Sequence, residues 1–335
     1  MADSPVDFIP VSDPLFRDPP LEYRLELPVL GLRTRFETNS RYVREVIEET
    51  FGLWRGLSGV DSGHPADVLR VQVVVYQAGE GPDRHAPVRH LCPDPIRTLA
   101  HSPGSLAVVD PTRRDAVAYV STALAADREH FRRAFLEAIV LALATNFDRH
   151  PIHAAAIGHA ECAVLLAGPS GAGKSTLAYL AHCAGLGVLS EDIVWVQLEP
   201  RFRLWGSSRR IHLLPEALRF FPGLEGTAIM VELNGQPKMA VDLVPPDGVR
   251  PFAADRAVVC LLEPGHGAPV LERIDPAPLR KGLERELTTG FDRQPWRLDA
   301  TIGALTGGGG WRLRLSADPR EALGCLRRML ETHSG

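Results

Sequence analysis

The sequence predicts an α/β protein in which a mixed-sheet core follows a separate N-terminal α+β domain. The second part of the chain alternates short apolar runs with turns and helical segments, which is typical of a mixed sheet with helices packed against it. A glycine-rich loop between a strand and a helix marks this core, whereas the first part shows no chemical motif. We therefore predict an N-terminal domain across residues 1–126 and a core domain across residues 127–335.

Composition narrows the class of protein before any motif is considered. The chain has 335 residues, of which 45% are hydrophobic, so it can bury a full core in one large or two ordinary domains. Its formal net charge is -4, and lysine and arginine form no long cluster, so we do not expect a nucleic-acid partner. Five widely spaced cysteines, mostly with apolar neighbours, indicate reduced, buried thiols rather than disulfides or a zinc site.

The N-terminus and the apolar runs bear on localisation. The first 20 residues are acidic and rich in proline and lack the regions of a signal peptide. The apolar run at 138–144 is far shorter than the roughly 20 residues that span a bilayer. We expect a cytoplasmic protein without a membrane partner, and the sequence leaves open whether it forms a homo-oligomer.

The N-terminal domain is expected to begin with half-buried strands across residues 21–39, where apolar and polar residues alternate. Ser40 then predicts a helix N-terminus, because apolar residues follow it at helical spacing. These residues are Val43, Val46, Ile47 and Phe51. Further strands are predicted at VLRVQVVVYQ, SLAVVD and DAVAYVS, with a loop-rich stretch across residues 78–104.

The core domain is expected to begin with a long helix across residues 127–146, capped by Asp127. The segment HAAAIGHAECAVLLAG then predicts a hairpin that leads into the strand before the glycine-rich loop. GGGG at 307–310 predicts a flexible turn, and a strand at GWRLRLS and a helix at DPREALGCLRRML close the chain.

The segment GPSGAGKST fits the phosphate-binding pattern G-x-x-x-x-G-K-[ST], known as Walker A, with a strand before it and a helix after it. Successive backbone N–H groups of such a loop surround phosphate oxygens, and the helix N-terminus adds partial positive charge. Lys174 then lies near the β- and γ-phosphates, and the Ser175 hydroxyl is a Mg²⁺ ligand. The predicted nucleotide-binding residues are Gly168, Pro169, Ser170, Gly171, Ala172, Gly173, Lys174, Ser175 and Thr176.

Two adjacent carboxylates, Glu191 and Asp192, interrupt the next predicted strand, VLSEDIVWVQL. Charges in a buried strand are costly unless they are paired or bound to metal, so Mg²⁺ at Ser175 would explain them. Adjacent strand residues point to opposite faces unless the strand ends or bulges, so one can serve the metal and the other an acceptor hydroxyl or a structural partner. A solvated acidic pair at a strand end is the alternative.

His153 lies upstream, in the segment that leads into the loop. A single histidine of this kind is more often a structural residue with satisfied hydrogen bonds than a catalytic one, and its position before the loop is what supports the catalytic interpretation. Arg209, Arg210 and Lys238 lie in predicted turns further on, where they either neutralise transition-state charge or are ordinary solvated residues.

Taken together, His153, the GPSGAGKST loop and the acidic pair in VLSEDIVW resemble the HPr serine kinase/phosphorylase family and its HPr-kinase-related relatives. The P-loop core of that family is similar to that of phosphoenolpyruvate carboxykinase. The match is close across residues 150–200 and general in the rest of the C-terminal half. It implies a P-loop mixed-sheet core of HPr-kinase type.

The resemblance also implies Mg²⁺-dependent phosphoryl transfer from ATP to a hydroxyl. Asp192 would orient or deprotonate this hydroxyl, Glu191 would assist at the metal, and His153 would lie near the reacting centre. The family's acidic pair is usually Asp-Asp, and Thr176 stands where true HPr kinases carry an acidic residue. The acceptor therefore need not be HPr.

Many such relatives act in modified-peptide pathways, and some phosphorylate a serine of a precursor peptide, so the resemblance implies an acceptor serine in a peptide or protein. A small-molecule alcohol is the competing acceptor. Two other functions stay open at the level of the sequence: a nucleotide-binding regulatory protein with little transfer activity, and a hydrolytic ATPase.

Overall fold

The computed structural model describes residues 6–13, 17–57, 68–77, 89–91, 95–101, 104–159, 161–224, 226, 228–233, 236–243, 252–286 and 295–333. The chain divides into two compact units, Met1–Phe147 and Asp148–Gly335. The sequence placed this boundary between residues 126 and 127. The helical segment after Asp127 lies in the first unit because it packs against strands of that unit's sheet.

The first unit contains a seven-stranded mixed sheet with the strand order β1-β2-β3-β7-β6-β5-β4. Strands β2, β3 and β7 are mutually parallel, and the other neighbours pair antiparallel. The strand bounds are β1 (Tyr23–Val29), β2 (Leu32–Thr38), β3 (Leu69–Tyr76), β4 (Arg89–Leu91), β5 (Arg97–His101), β6 (Ser105–Asp110) and β7 (Asp115–Ser121).

Helices pack their apolar faces against this sheet. Helix α1 (Arg41–Phe51) packs against β1 and β2, and the Ser40 hydroxyl caps it by accepting from the Val43 N–H at 3.2 Å. The remaining elements are a 3₁₀ turn (Gly52–Trp54), α2 (Thr122–Ala126), α3 (Arg128–His130), a π-helical turn (Phe131–Leu136) and α4 (Glu137–Ala144). The last three form the predicted long helix, and α4 packs against β6 and β7.

One prediction for the first unit is wrong. The stretch 78–104, predicted to be loop-rich, contains β4 and β5. Strand β5 pairs antiparallel with β6, and Leu99 is buried in the core, so the pairing overrides the many turn-forming residues around it. Residues 78–88 lie outside the described residues.

The described residues of the second unit form three sheets. A six-stranded sheet has the order β11-β9-β10-β18-β20-β19, with β10, β18 and β20 parallel. A four-stranded sheet (β17-β13-β12-β8) and a three-stranded sheet (β14-β16-β15) are antiparallel. The bounds are β8 (His150–His153), β9 (Ala155–Gly158), β10 (Ala163–Ala167), β11 (Gly187–Ser190), β12 (Ile193–Gln197), β13 (Arg203–Trp205), β14 (Arg210–Leu213), β15 (Ile229–Leu233), β16 (Gln236–Asp242), β17 (Ala253–Ala254), β18 (Ala257–Glu263), β19 (Val270–Ile274) and β20 (Gly310–Arg314).

Helices cover both faces of the six-stranded sheet. Helix α5 (Lys174–Cys183) and α8 (Leu323–His333) pack with the three-stranded sheet on one face, and α6 (Pro276–Glu286) and α7 (Pro295–Thr306) pack with the four-stranded sheet on the other. Short 3₁₀ helices occur at Pro215–Arg219, Pro222–Leu224 and Pro319–Ala322. The predicted hairpin into β10 and the final strand and helix are confirmed.

The central strand β10 explains why its sequence is apolar without alternation. Val164 and Leu166 face the core under α5, whereas Ala163, Leu165 and Ala167 face the core under α6 and α7. A strand covered on both faces is expected to be uniformly apolar. The fold is therefore the mixed α/β class that the sequence predicts.

Four of the five cysteines lie in the described residues, and all four are free thiols. Cys183 is exposed, contrary to the expectation of buried thiols. Cys92 lies outside the described residues. Within the described ranges, no helix combines the length and the apolar character that crossing a membrane requires.

Candidate active site

The glycine-rich loop connects the end of β10 at Ala167 to the start of α5 at Lys174. Gly171 and Gly173 have φ angles of 81° and 97°, in the left-handed region that glycine adopts most easily. A Cβ atom on Gly168 would lie 3.1 Å from the Leu262 carbonyl oxygen, so the loop packs closely against β18 at its start. The loop is thus a tight turn of backbone that leads directly into a helix N-terminus.

Lys174 folds back over this loop. Its ammonium Nζ donates to the Gly168 carbonyl at 2.6 Å and to the Pro169 carbonyl at 3.3 Å. The residue is 8% exposed, and this desolvation lowers the pKa of Lys174, while the carboxylates of Asp192 and Glu286 act in the opposite direction. A buried cation therefore lies against the backbone of the glycine-rich loop.

The other predicted loop residues divide between surface and core. Pro169, Ser170 and Gly171 are exposed, whereas Ala172 packs into the core beside α5. Ser175 and Thr176 lie in the first turn of α5 and are half-buried.

The segment VLSEDIVWVQL is not the single strand that the sequence predicts. It forms β11 in the six-stranded sheet and β12 in the four-stranded sheet, and Glu191 and Asp192 are the link between them. The chain ends one strand and starts another because it changes sheets here. Because Glu191 and Asp192 lie in this link and not inside one strand, their side chains can point in different directions.

The chain also passes between the same two sheets at a second place, and this connection brings His153 to Asp192. The chain passes from β8 to β9 directly after His153, and β8 and β9 pair with β12 and β11 respectively. His153 lies opposite Ile193 in this register, one residue beyond Asp192. The two crossings therefore lie side by side.

His153 and Asp192 form a hydrogen-bonded pair with 3.0 Å between His153 Nε2 and Asp192 Oδ1. The side chains are 30% and 66% exposed, so the pair is open to solvent on the acidic side. The hydrogen bond from His153 lowers the pKa of Asp192, and the charges of Lys238 and Lys174 add to this effect. Asp192 is consequently held as a carboxylate.

Glu191 has different partners. Its Oε2 accepts from the His212 backbone N–H at 2.6 Å, and its Oε1 accepts from His212 Nδ1. Its own N–H donates to the Ser208 hydroxyl at 3.0 Å. Both side chains of the Glu191–His212 pair are only 10% exposed. The structure thus places the two acids in separate environments.

The structure brings together Lys174, Asp192 and His153, all of which the sequence singled out. Lys238 on β16 acts electrostatically on both Lys174 and Asp192, which favours a place near the site over an ordinary solvated turn. Glu286, at the end of α6, acts on Lys174 and has no signal in the sequence, because nothing relates it to the loop except the fold.

The two arginines that the sequence singled out, Arg209 and Arg210, have partners outside the group of Lys174, Asp192 and His153. Arg210 forms an ion pair with Asp242 on the neighbouring strand, with 2.5 Å between Arg210 Nε and Asp242 Oδ1. That contact supports the alternative of an ordinary surface charge. Arg209 accepts from the Leu243 N–H through its carbonyl at 2.9 Å, at the start of β14.

The residues present fit a phosphate group and a magnesium ion. A closely packed glycine loop, a helix N-terminus and a desolvated lysine meet at one point, as phosphate binding requires. In the part of the chain that the structure describes, no three His, Cys, Asp or Glu side chains converge on a metal position. Mg²⁺ commonly takes one or two carboxylates and otherwise water and phosphate oxygens, so Ser175 and one acid suffice.

Among solved structures, 82 chains are similar to this one. The chain is similar to the Hpr(Ser) kinase/phosphatase from Coxiella burnetii, with 11% sequence identity over 55% of this chain and 99% of that chain, and a TM-score of 0.30. No protein-family model and no curated protein matches this chain. A similarity of this size carries no argument about chemistry, which therefore depends on the site itself.

Proposed function

We propose that the protein is an ATP-dependent kinase that transfers the γ-phosphoryl group to a hydroxyl, with a serine of a peptide or protein as the acceptor. The observation that carries the proposal is the grouping of Lys174, Asp192 and His153 at the glycine-rich loop. Phosphoryl transfer needs a cation at the phosphates and a carboxylate at the acceptor hydroxyl, and this group supplies both.

The loop and α5 would bind the nucleotide. Backbone N–H groups of the loop and the first turn of α5 would donate to the phosphates, and Lys174 would exchange the Gly168 and Pro169 carbonyls for phosphate oxygens. Ser175 would hold Mg²⁺, which neutralises charge on the phosphates when it is bound. This arrangement explains why a lysine remains at a position where its charge is poorly solvated.

Asp192 would orient the acceptor hydroxyl and accept its proton. Oδ1 is bonded to His153, which leaves Oδ2 for the hydroxyl. Because the pKa of Asp192 is lowered, the carboxylate is a weak base, and its contribution is mainly to orientation. A loose transition state for phosphoryl transfer depends more on such positioning than on early proton removal.

His153 and Lys238 would set the charge around the reacting groups. His153 fixes the carboxylate of Asp192 through one hydrogen bond, and the charge of Lys238 also lowers the pKa of Asp192. Lys238 would therefore stabilise negative charge that spreads over the phosphoryl oxygens during transfer.

The peptide acceptor rests on the resemblance of residues 150–200 to HPr-kinase-related proteins, and a small alcohol is the alternative acceptor. A nucleotide-binding regulatory protein is a second candidate function. It is favoured by Glu191, whose carboxylate is occupied by His212 although the resemblance assigns it to the metal.

Substitution of Asp192 by Asn tests the kinase proposal. We expect Asp192→Asn to retain affinity for Mg·ATP and to lose at least about 10²-fold in turnover, because misplacement of a reacting group costs about this much. The measurement is ADP release and labelled phosphate transfer with serine peptides and, separately, small alcohols.

Asp242→Asn is the matched control, since Asp242 is a carboxylate of similar exposure, 59% against 66%, whose partner is Arg210. Full turnover of Asp192→Asn would remove Asp192 from the mechanism. Tight binding of Mg·ATP by the wild-type protein without transfer to either class of acceptor would favour the regulatory protein instead.

A further inference from the structure

We infer that Glu191 is a positioning residue rather than a magnesium ligand: its carboxylate clamps the segment 206–213 to the link between β11 and β12 and thereby fixes Asp192. The inference rests on the proposed function only for its consequence at Asp192, because the clamp itself is a matter of contacts within the fold. We call the Glu191–His212–Ser208 contacts the clamp.

The clamp joins one residue to one short segment at three atoms. Both carboxylate oxygens of Glu191 are used by His212, one by its backbone N–H and the other by Nδ1. The Glu191 N–H is used by Ser208. Position, side-chain direction and backbone of Glu191 are thus all determined by the segment 206–213.

The segment lies directly on the end of β11. A Cβ atom on Gly206 would be 2.0 Å from the Leu189 carbonyl oxygen, which only a glycine permits without movement of the backbone. The Ser208 N–H also donates to the Leu189 carbonyl at 3.3 Å. Glu191 therefore completes a junction that already begins two residues before it.

A metal role for Glu191 conflicts with these contacts. To bind Mg²⁺, its carboxylate would have to leave His212, which would break two hydrogen bonds between side chains that are each only 10% exposed. Asp192, by contrast, is 66% exposed and interacts with Lys174. The two adjacent acids thus have different roles. Glu191 is held in place by contacts within the fold, and Asp192 is exposed toward the proposed nucleotide site.

Thermal stability tests the clamp independently of any activity. We expect Glu191→Ala and His212→Ala each to lower the melting temperature, and the double variant to lose clearly less than the sum of the two losses, because they remove the same contacts. Glu191→Gln should lose less than Glu191→Ala, since its amide can accept from the His212 N–H and donate to the other tautomer of the ring. Additive losses would overturn the clamp.

Magnesium dependence tests the positioning role. We expect Glu191→Ala and His212→Ala to lower turnover equally, while the Mg²⁺ concentration for half-maximal binding of a fluorescent ATP analogue stays at the wild-type value. A tenfold or larger rise in this concentration for Glu191→Ala, with no rise for His212→Ala, would make Glu191 a metal ligand and overturn the inference. If the wild-type protein binds no Mg·ATP, the proposed function fails, and the melting data still decide the clamp.

Discussion

Lys174 shows how function and stability oppose each other at a single residue. The residue is 8% exposed, and in the contacts described above its ammonium donates only to neutral loop carbonyls. The lowered pKa of Lys174 means that desolvation outweighs the attraction of Asp192 and Glu286. The folded state therefore carries a cost for the charge that a bound polyphosphate would offset.

Replacing Lys174 by Met should accordingly leave the melting temperature at neutral pH equal to or higher than that of the wild-type protein. The sign follows from linkage: a lysine with a lowered pKa in the folded state costs stability while it is charged. The cost disappears as the pH rises above the ordinary lysine pKa of about 10.4. Thermal melts from neutral to alkaline pH measure this difference.

Lys281→Met is the control, because Lys281 is exposed and its loss should change the melting temperature little. A drop of several degrees for Lys174→Met would show that the loop carbonyls depend on the ammonium for stability.

Sequence patterns identified the residues of the candidate site better than their partners. Lys174, Asp192 and His153 stand out by motif and position, and the structure brings them together. His212 does not stand out, because it reaches Glu191 only after the chain has crossed β11 at Gly206. A contact between two residues that meet only where distant segments of the chain cross leaves no pattern in the local sequence.

At the scale of secondary-structure elements, the decisive feature is the break between β11 and β12. The apolar pattern of VLSEDIVWVQL favours one strand, and periodicity alone cannot show that its two halves belong to different sheets. The same holds for β8 and β9 around His153. The site lies where both connections pass between the sheets.

Gly206→Ala tests how tightly this junction is built. The added Cβ atom would meet backbone at 2.0 Å, so the segment 206–213 would have to move away from β11. We expect a loss of stability of about 1–3 kcal/mol, typical of overpacking, measured by urea or thermal unfolding.

Gly324→Ala is the matched control, since an added Cβ there meets nothing within 4 Å and the residue lies in helix α8. That change should be neutral or stabilising by about 0.5–1 kcal/mol. Equal effects of the two substitutions would contradict the close approach at Gly206.

At the scale of the whole molecule, all residues of the candidate site lie in the second unit, Asp148–Gly335. The sequence predicted the mixed α/β class, because alternation and helical spacing are local properties of the chain. It placed the boundary after residue 126, whereas the contacts divide the chain after Phe147, because the helical segment 128–144 packs against strands of the first unit. It also predicted one mixed sheet where the described residues of the second unit form three sheets, since strand order depends on contacts far apart in the chain.

Binding of Mg·ATP to the wild-type protein and to Lys174→Met, compared by titration calorimetry, tests the central claim most directly. The melting experiment first establishes that the variant is folded, so that a change in affinity reports on the loop alone. We predict that the wild-type protein binds Mg·ATP and that Lys174→Met binds it at least about tenfold more weakly, a difference of about 1.4 kcal/mol. Equal affinities would show that the loop at residues 168–176 is not the phosphate site and would contradict the account.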